Sequence, residues 1–274
     1  MSAVHWPRAS TALLLALVVA AIVVPWLSPY DHYTPSWDEL DLPPHWASGH
    51  WLGTDDLGRD LLVRLAWGLR LSLVVGLAAS LTSLCIGVLW GVVAGYLGGR
   101  TDAWMMRAVD VLYTVPFIPF VIVLTVLFGR DLVLLFVAIG AVSWLDIARI
   151  VRAQTLTLRQ RDFIDAARVG GLSTPQVIGR HLLPNLLGIV VAYLALTLPT
   201  VILIEAFLGF LGLGAQPPLA SLGTLIADGA AQLRARPRLL VCPAVVLALL
   251  VYVCNRVGDA LRDAYDPQLE QTRG

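Results

Sequence analysis

Carboxylates are the side chains in this sequence whose number and spacing could support chemistry. The seven that fall between residues 31 and 70 are Asp31, Asp38, Glu39, Asp41, Asp55, Asp56 and Asp60. Closely spaced carboxylate oxygens could hold a calcium ion. Their spacing does not follow the alternating ligand positions of an EF-hand loop, however, so a metal site is not the favoured interpretation.

The residue types that common catalytic mechanisms require are missing or scattered. All 19 basic residues are arginine, which excludes a Walker A lysine, a Schiff-base lysine and a Ser-Lys dyad. No Ser/His/Asp set or HExxH motif occurs, and the five histidines are scattered. Cys85, Cys242 and Cys254 lie in apolar runs without metal or disulfide spacing, so they are interpreted as small core residues. The sequence therefore does not predict an enzyme.

The composition is that of a membrane protein. Of the 274 residues, 58% are hydrophobic and only 14% are charged, against about 25% charged in a soluble protein. The net charge is zero, which gives no electrostatic reason to expect nucleic-acid binding.

Six apolar runs predict six transmembrane helices, at about residues 10–30, 71–99, 111–128, 132–144, 186–210 and 239–254. The first could instead be a cleaved signal peptide, but Trp26 and Leu27 stand where small residues are needed for cleavage. Pro116 and Pro119 predict a kink within the third run. Gly87, Gly91 and Gly95 recur every four residues, which predicts a face for close packing of the second helix.

Two local features lie beside these runs. From Thr54 onward an apolar stripe, with Asp60 and Arg64 paired on the other side, predicts an interfacial helix leading into the second span. Arg234, Arg236 and Arg238 fall on the outer side of a six-span topology, against the positive-inside tendency.

Two acids lie within or beside the apolar runs. Glu205 is the more deeply placed, and two interpretations stay open, a residue of the translocation path or gate and a hydrogen-bonded structural carboxylate. Asp110, at the start of the third span, is interpreted as structural and is expected to pair with Arg107 near the inner interface.

A polar segment at residues 162–185 carries the strongest internal pattern. Phe163, Ala166, Ala167 and Gly170 fall at helical spacing, so one face combines small residues with an aromatic side chain. Gly171 after Gly170 predicts a break, since paired glycines give backbone freedom. The segment from Ser173 to Gln176 predicts a new helix with a capping box, ending near His181 before Pro184.

This segment resembles the cytoplasmic EAA loop of permeases from ABC importers. Asp165, Ala166, Ala167 and Gly171, followed by Pro184, have the spacing of that loop, with Asp165 where glutamate is usual. Residues 181–185 are similar to the variant of the oligopeptide/dipeptide/nickel group. Residues 53–60, 143–149, 207–214 and 258–267 also resemble this group, and the second of the two permease subunits of oligopeptide importers in particular.

The resemblance implies an all-α membrane protein with an EAA-type coupling loop, in the bacterial inner membrane with both termini cytoplasmic. It implies these partners: a second homologous permease subunit, two cytoplasmic ATPases, a periplasmic or lipid-anchored binding protein, and a peptide substrate. No cofactor is expected, because ATP is bound by the partner subunits. The residues expected to couple to the ATPases are Phe163, Asp165, Ala166, Ala167, Gly170, Gly171, His181 and Pro184.

The expected organisation has three parts. Residues 1–70 hold the first span, a periplasmic loop and the interfacial helix. Residues 71–257 form a five-helix permease core with the coupling loop at 159–185, and residues 258–274 form a cytoplasmic tail. Nickel or another small solute remains an alternative substrate. An ion-coupled secondary transporter and a membrane-embedded hydrolase are the rival classes. The first leaves the central loop unexplained, and the second lacks a catalytic set.

Overall fold

The computed structural model describes residues 7–46 and 49–265. Residues 266–274, which include Arg273 and the end of the expected tail, lie outside the described residues. The helices are α1 (Arg8–Leu27), α2 (Leu61–Leu97), α3 (Gly99–Tyr113), α4 (Phe117–Phe128), α5 (Leu132–Arg159), α6 (Asp162–Val169), α7 (Thr174–Val177), a π-helical segment (Ile178–Leu182), α8 (Leu183–Phe210), α9 (Leu222–Ala231) and α10 (Arg238–Tyr265).

Five of these helical segments are long and apolar enough to cross a membrane, and α3 and α4 reach that length and apolarity only as a pair, as in a broken span or a re-entrant loop. The predicted all-α membrane fold is therefore confirmed. The sequence predicts a kinked helix over residues 111–128, and the structure has instead two separate helices, α3 and α4, which meet at 79°. Pro116 causes the break, since its ring disfavours helix in the preceding residue. Pro119 lies in the first turn of α4, where a missing N–H is tolerated.

Among the described residues of the loop before the second span there is no separate interfacial helix, so that prediction is wrong. Residues 54–60 form turns, and α2 begins at Leu61 and runs through the whole span. Asp60 caps it, because its carboxylate accepts the Val63 N–H at 2.8 Å. Arg64 does not pair with Asp60 as predicted. It pairs with Asp55, which also accepts the Arg59 Nε–H at 2.9 Å.

The helices α2 and α5 pack along the predicted glycine face. A Cβ atom on Gly91 would lie 2.6 Å from the Ala148 carbonyl oxygen, and one on Gly87 would lie 2.7 Å from the Ile147 side chain. Gly95 meets Thr155 in the same way. Only glycine permits this approach of two backbones, so the predicted close-packing face is confirmed.

The fourth span is longer than predicted, since α5 continues from Leu132 past Trp144 to Arg159. Its last turns hold α3 by ion pairs. Arg152 donates to both oxygens of Asp102, at 2.5 and 2.6 Å. Arg149 donates to Asp110 at 2.8 Å, so Arg107 is not the partner of Asp110 that the sequence predicts.

The loop between α1 and α2 is here called the first loop (residues 28–60). Of the three arginines that depart from the positive-inside tendency, Arg236 and Arg238 contact this loop. Arg236 pairs with Asp41, and Arg238 donates to the carbonyl oxygens of Leu42 at 2.7 Å and Thr54 at 3.0 Å. These arginines therefore have acceptors on the first-loop side, which explains their place against the positive-inside tendency. The last helix, α10, extends to Tyr265, so the expected tail boundary at residue 258 falls inside a helix.

Candidate functional site

The helix α6 is short, and the residues in its first and last turns favour its formation. Asp162 and Asp165 lie in its first turn and Arg168 in its last, which is the charge order that a helix dipole favours. It ends at Gly170, and Gly171 follows with φ of +79°. The N–H of Gly171 donates to the Arg168 carbonyl at 3.0 Å. The predicted break is present, at the residue whose missing side chain permits the positive angle.

The chain restarts through the predicted capping box and then departs from the prediction. The Ser173 N–H donates to Gln176 Oε1 at 2.8 Å. The helix does not end near His181, however, because α7, the π-helical segment and α8 form one helix over residues 174–210. The π turn accommodates Pro184, whose ring and missing N–H conflict with regular α-helical bonding. The Asn185 side-chain amide donates to the His181 carbonyl at 2.6 Å.

One face of α6 is anchored in the helical bundle. Ile164 is fully buried and Ala167 is 8% exposed, in a core cluster with Tyr96 of α2, Val151 of α5 and Leu186 of α8. Ala167 therefore does not share a free face with Ala166, although the sequence grouped the two. Ile164 was missed by sequence reasoning, and its spacing of three residues from Ala167 is the signal that marks it.

The opposite face of α6 is exposed. Phe163 is 39% exposed and Val169 is 90% exposed, and Ala166, Gly170 and Gly171 are exposed with them. We call these five residues the exposed ridge. His181 lies beside it, half-buried, with its ring centroid 6.4 Å from that of Phe163. Pro184 is exposed on the following helix.

A polar recess lies next to the ridge. It has a volume of about 390 Å³ and is lined by Leu156, Arg159, Gln160, Asp165 and Arg168. Asp165 accepts from Arg168 at 3.1 Å, and Arg168 also lies over the Tyr96 ring at 5.1 Å. The hydrogen bond with the Tyr96 hydroxyl raises the pKa of the Arg168 guanidinium. An apolar ridge beside a charged recess is suited to docking a partner protein.

Glu205 lies inside the subunit. Its side chain is fully buried in α8, and Oε2 accepts the Ser72 hydroxyl of α2 at 2.7 Å. Ser72 Oγ in turn accepts the Leu222 N–H, the first of α9, at 3.3 Å. Among the described residues Oε1 has no hydrogen-bond partner. This carboxylate therefore connects three helices close to the N-terminus of α9, where a negative charge is favoured.

We expect Glu205→Gln to assemble normally and to transport within about twofold of the unchanged chain, since the amide can accept the same hydrogen bond. Glu205→Ala should lower the thermal stability, because it leaves Ser72 buried without its acceptor. Uptake of labelled substrate and the melting temperature of the purified complex measure the two effects. Loss of uptake in a normally assembled Glu205→Gln complex would instead indicate a residue of the translocation path.

The chain has extensive similarity to known transport proteins. Residues 87–271 match the family described as "Binding-protein-dependent transport system inner membrane component". The oligopeptide transport system permease protein OppC of Escherichia coli K12 is 50% identical over 264 residues, covering 95% of this chain and 87% of that protein. OppC of Haemophilus influenzae is 46% identical, covering 95% and 84%. The dipeptide transport system permease protein DppC of Bacillus subtilis is 43% identical, covering 94% and 81%.

The fold has a solved counterpart. A chain of the MetNI methionine ABC transporter, in an inward-facing conformation, matches with a TM-score of 0.60 at 22% identity, covering 74% of this chain and 96% of that one. The matched family consists of transport components and not of enzymes. With its apolar helices, this chain is a multi-pass protein of the bacterial inner membrane, and it belongs to the family of binding-protein-dependent transport system inner membrane components.

Proposed function

We propose that this chain is a permease subunit of an ATP-driven peptide importer and forms half of the translocation pathway beside a second, homologous permease subunit. The names of the relatives support the substrate class, since they are oligopeptide and dipeptide permeases. The observation that carries the proposal is the exposed ridge, which is anchored to the bundle on one face and free on the other.

The anchoring of α6 explains how a docked ATPase would drive the permease. Ile164 and Ala167 contact α2, α5 and α8 in one cluster, so a displacement of α6 is passed to three spans together. The Gly171 turn joins α6 to the helix that continues as α8. When the two ATPases close on ATP, the translocation pathway would then favour opening to one side of the membrane. When the ATPases open, it would favour opening to the other side.

We also propose that the coupling loop and both termini are cytoplasmic. With α3 and α4 taken as one crossing, a total of six supports a topology with the start of α1 and the end of α10 on one side of the membrane, opposite the first loop. The coupling loop shares the side of the α2–α3 turn, since Arg168 of α6 contacts Tyr96 near the end of α2. It also carries several arginines, as cytoplasmic segments do: Arg159, Arg161, Arg168 and Arg180.

A photo-crosslinking experiment tests both proposals. A photoreactive residue at Val169, which is 90% exposed on the ridge, should crosslink to a copurifying ATPase. The same residue at Trp46, which is 81% exposed on the first loop, is the matched control and should not. A crosslink from position 46 alone would reverse the orientation. Purification of an active transporter without any ATPase would contradict the importer and favour an ion-coupled transporter.

A further inference from the structure

A small pocket lies where the first loop meets the start of the second span. It has a volume of about 130 Å³ and is enclosed by α2, the beginning of the first loop and the segment before α9. We call it the Arg70 pocket. It is lined by His32, Trp67, Arg70, Leu71, Val74, Leu219 and Ala220.

Arg70 is the charged residue of this pocket, and it lacks an anionic partner among the described residues. It is the last charged residue before Arg100, so it lies at the polar boundary of the apolar span. The side chain is half-buried, with its guanidinium 5.0 Å from the centre of the Trp67 ring. Arg59 and Arg64 nearby are both paired with Asp55, but Arg70 has no ion pair within the parts of the chain that the structure describes. A cation at a membrane boundary is stabilised by an anionic partner.

The other polar groups of the pocket do not supply that anion. His32 stacks on Trp67 with ring centroids 4.3 Å apart. Burial lowers the pKa of the His32 imidazole, which favours its neutral form. The neighbouring Asp31 is engaged by His32 at 3.1 Å and by the Thr34 hydroxyl at 2.8 Å. The pocket therefore presents one charge, that of Arg70, within aromatic and aliphatic walls.

The rim of the pocket is apolar and exposed. Val74 is 56% exposed and Leu219 is 38% exposed. Below Val74 along α2, Leu77 and Leu81 are 45% and 48% exposed. Residues three and seven positions apart share one helix face, so these three side chains form a continuous apolar stripe leading away from the pocket. An anion that carries a hydrocarbon chain would contact both the guanidinium and the stripe.

We propose that the Arg70 pocket binds the phosphate of a phospholipid in the leaflet on the first-loop side. Arg70 donates to the phosphate oxygens, which suit the fork geometry of a guanidinium. Trp67 borders the headgroup at the depth where indole rings lie in membranes. One acyl chain follows Val74, Leu77 and Leu81. This site depends on the membrane placement of α2 and does not rest on the proposed import of peptides.

Photolabelling by a lipid tests the site. The full chain, with any partner subunits that copurify, is placed in nanodiscs of phosphatidylethanolamine and phosphatidylglycerol that contain a trace of photoactivatable phosphatidylethanolamine. We expect labelling of the α2 peptide that includes Val74. Arg70→Gln should reduce this labelling about tenfold, since a charge-assisted hydrogen bond is lost. Arg130→Gln, in an exposed turn on the same side, is the matched control and should leave it unchanged.

Further measurements distinguish a lipid phosphate from a soluble anion and control for misfolding of the Arg70 variant. A photoactivatable diacylglycerol, which has no phosphate, should label the unchanged chain weakly, and equal labelling would overturn the proposal. Labelling that millimolar inorganic phosphate or a tripeptide displaces would assign the pocket to a soluble anion instead. Undiminished labelling in a folded Arg70→Gln chain would also overturn it. Arg70→Lys keeps the charge and should retain part of the labelling.

Discussion

The substitution Gly171→Val should leave the chain folded in the membrane and strongly reduce its proposed coupling to an ATPase. Gly171 has φ of +79°, and a side chain there costs about 1–2 kcal/mol. That cost is too small to unfold a bundle of six spans. A Cβ atom at this position meets nothing within 4 Å in the chain, so valine creates no internal clash. It strains the turn and projects from the exposed ridge, where the ATPase is proposed to dock.

The decisive measurement is substrate-stimulated ATPase activity of the complete complex in lipid, together with uptake. We expect both to fall about tenfold or more, which corresponds to a loss of about 1.4 kcal/mol in the docked state. Ala166→Trp should behave alike, because Ala166 is exposed on the same ridge. Gly171→Asn is the control, since asparagine tolerates the left-handed region better than valine does. Normal stimulation and uptake in both Gly171→Val and Ala166→Trp would show that this ridge does not couple the subunits.

Replacing Gly91 with alanine should destabilise the bundle itself. The added Cβ would stand 2.6 Å from the Ala148 carbonyl oxygen and 2.9 Å from the Arg152 nitrogen. Both atoms belong to the backbone of α5, so the two helices must separate. Overpacking of this kind costs about 1–3 kcal/mol, and we expect a lower melting temperature and a smaller yield of assembled complex.

Gly140→Ala is the matched control for Gly91→Ala. Gly140 is also buried between α2 and α5, but a Cβ there would meet its nearest atoms, in Ser83 and Thr82, at 3.9 Å. This distance is ordinary van der Waals contact, so the control should retain its stability. Thermal denaturation of the purified chain, followed by size-exclusion chromatography, compares the two variants. Equal stability would show that the close approach of the helices is not required.

Local rules were sufficient for several features of this molecule. The positive φ at Gly171 follows from a glycine pair after a short helix, and the capping box follows from Ser173 and Gln176. The packing face of Gly87, Gly91 and Gly95 follows from their regular spacing. Each depends on residues within a few turns of one another, so the sequence contains the necessary information.

Features that depend on distant contacts could not be predicted. Asp110 was expected to pair with Arg107 on its own helix, but Arg149 reaches it from α5. Ala167 was grouped with Ala166 because only spacing was known, and its burial depends on Tyr96, which is far away in the sequence. The helix α9 was missed, because its ten residues follow a loop rich in glycine and proline and give too short a pattern.

Pro116 was recognised as a kink, but the angle of 79° between α3 and α4 depends on how α5 holds each of them. The ion pairs from Arg149 and Arg152 fix α3, and the core cluster that includes Val121 and Leu135 fixes α4. A proline interrupts a helix, whereas the packing on both sides of the break sets the direction in which the chain continues.

The continuous helix over residues 174–210, formed by α7, the π-helical segment and α8, has the shape of one long lever arm. Its 37 residues span about 55 Å at 1.5 Å per residue. A tilt of only 5° about the end next to the Gly171 turn would carry the far end through roughly 5 Å, by the geometry of a rod of that length. Glu205 lies near the far end and is joined through Ser72 to the first turn of α9. A small rotation of this helix at one membrane surface would thus become a larger displacement of α9 near the other surface.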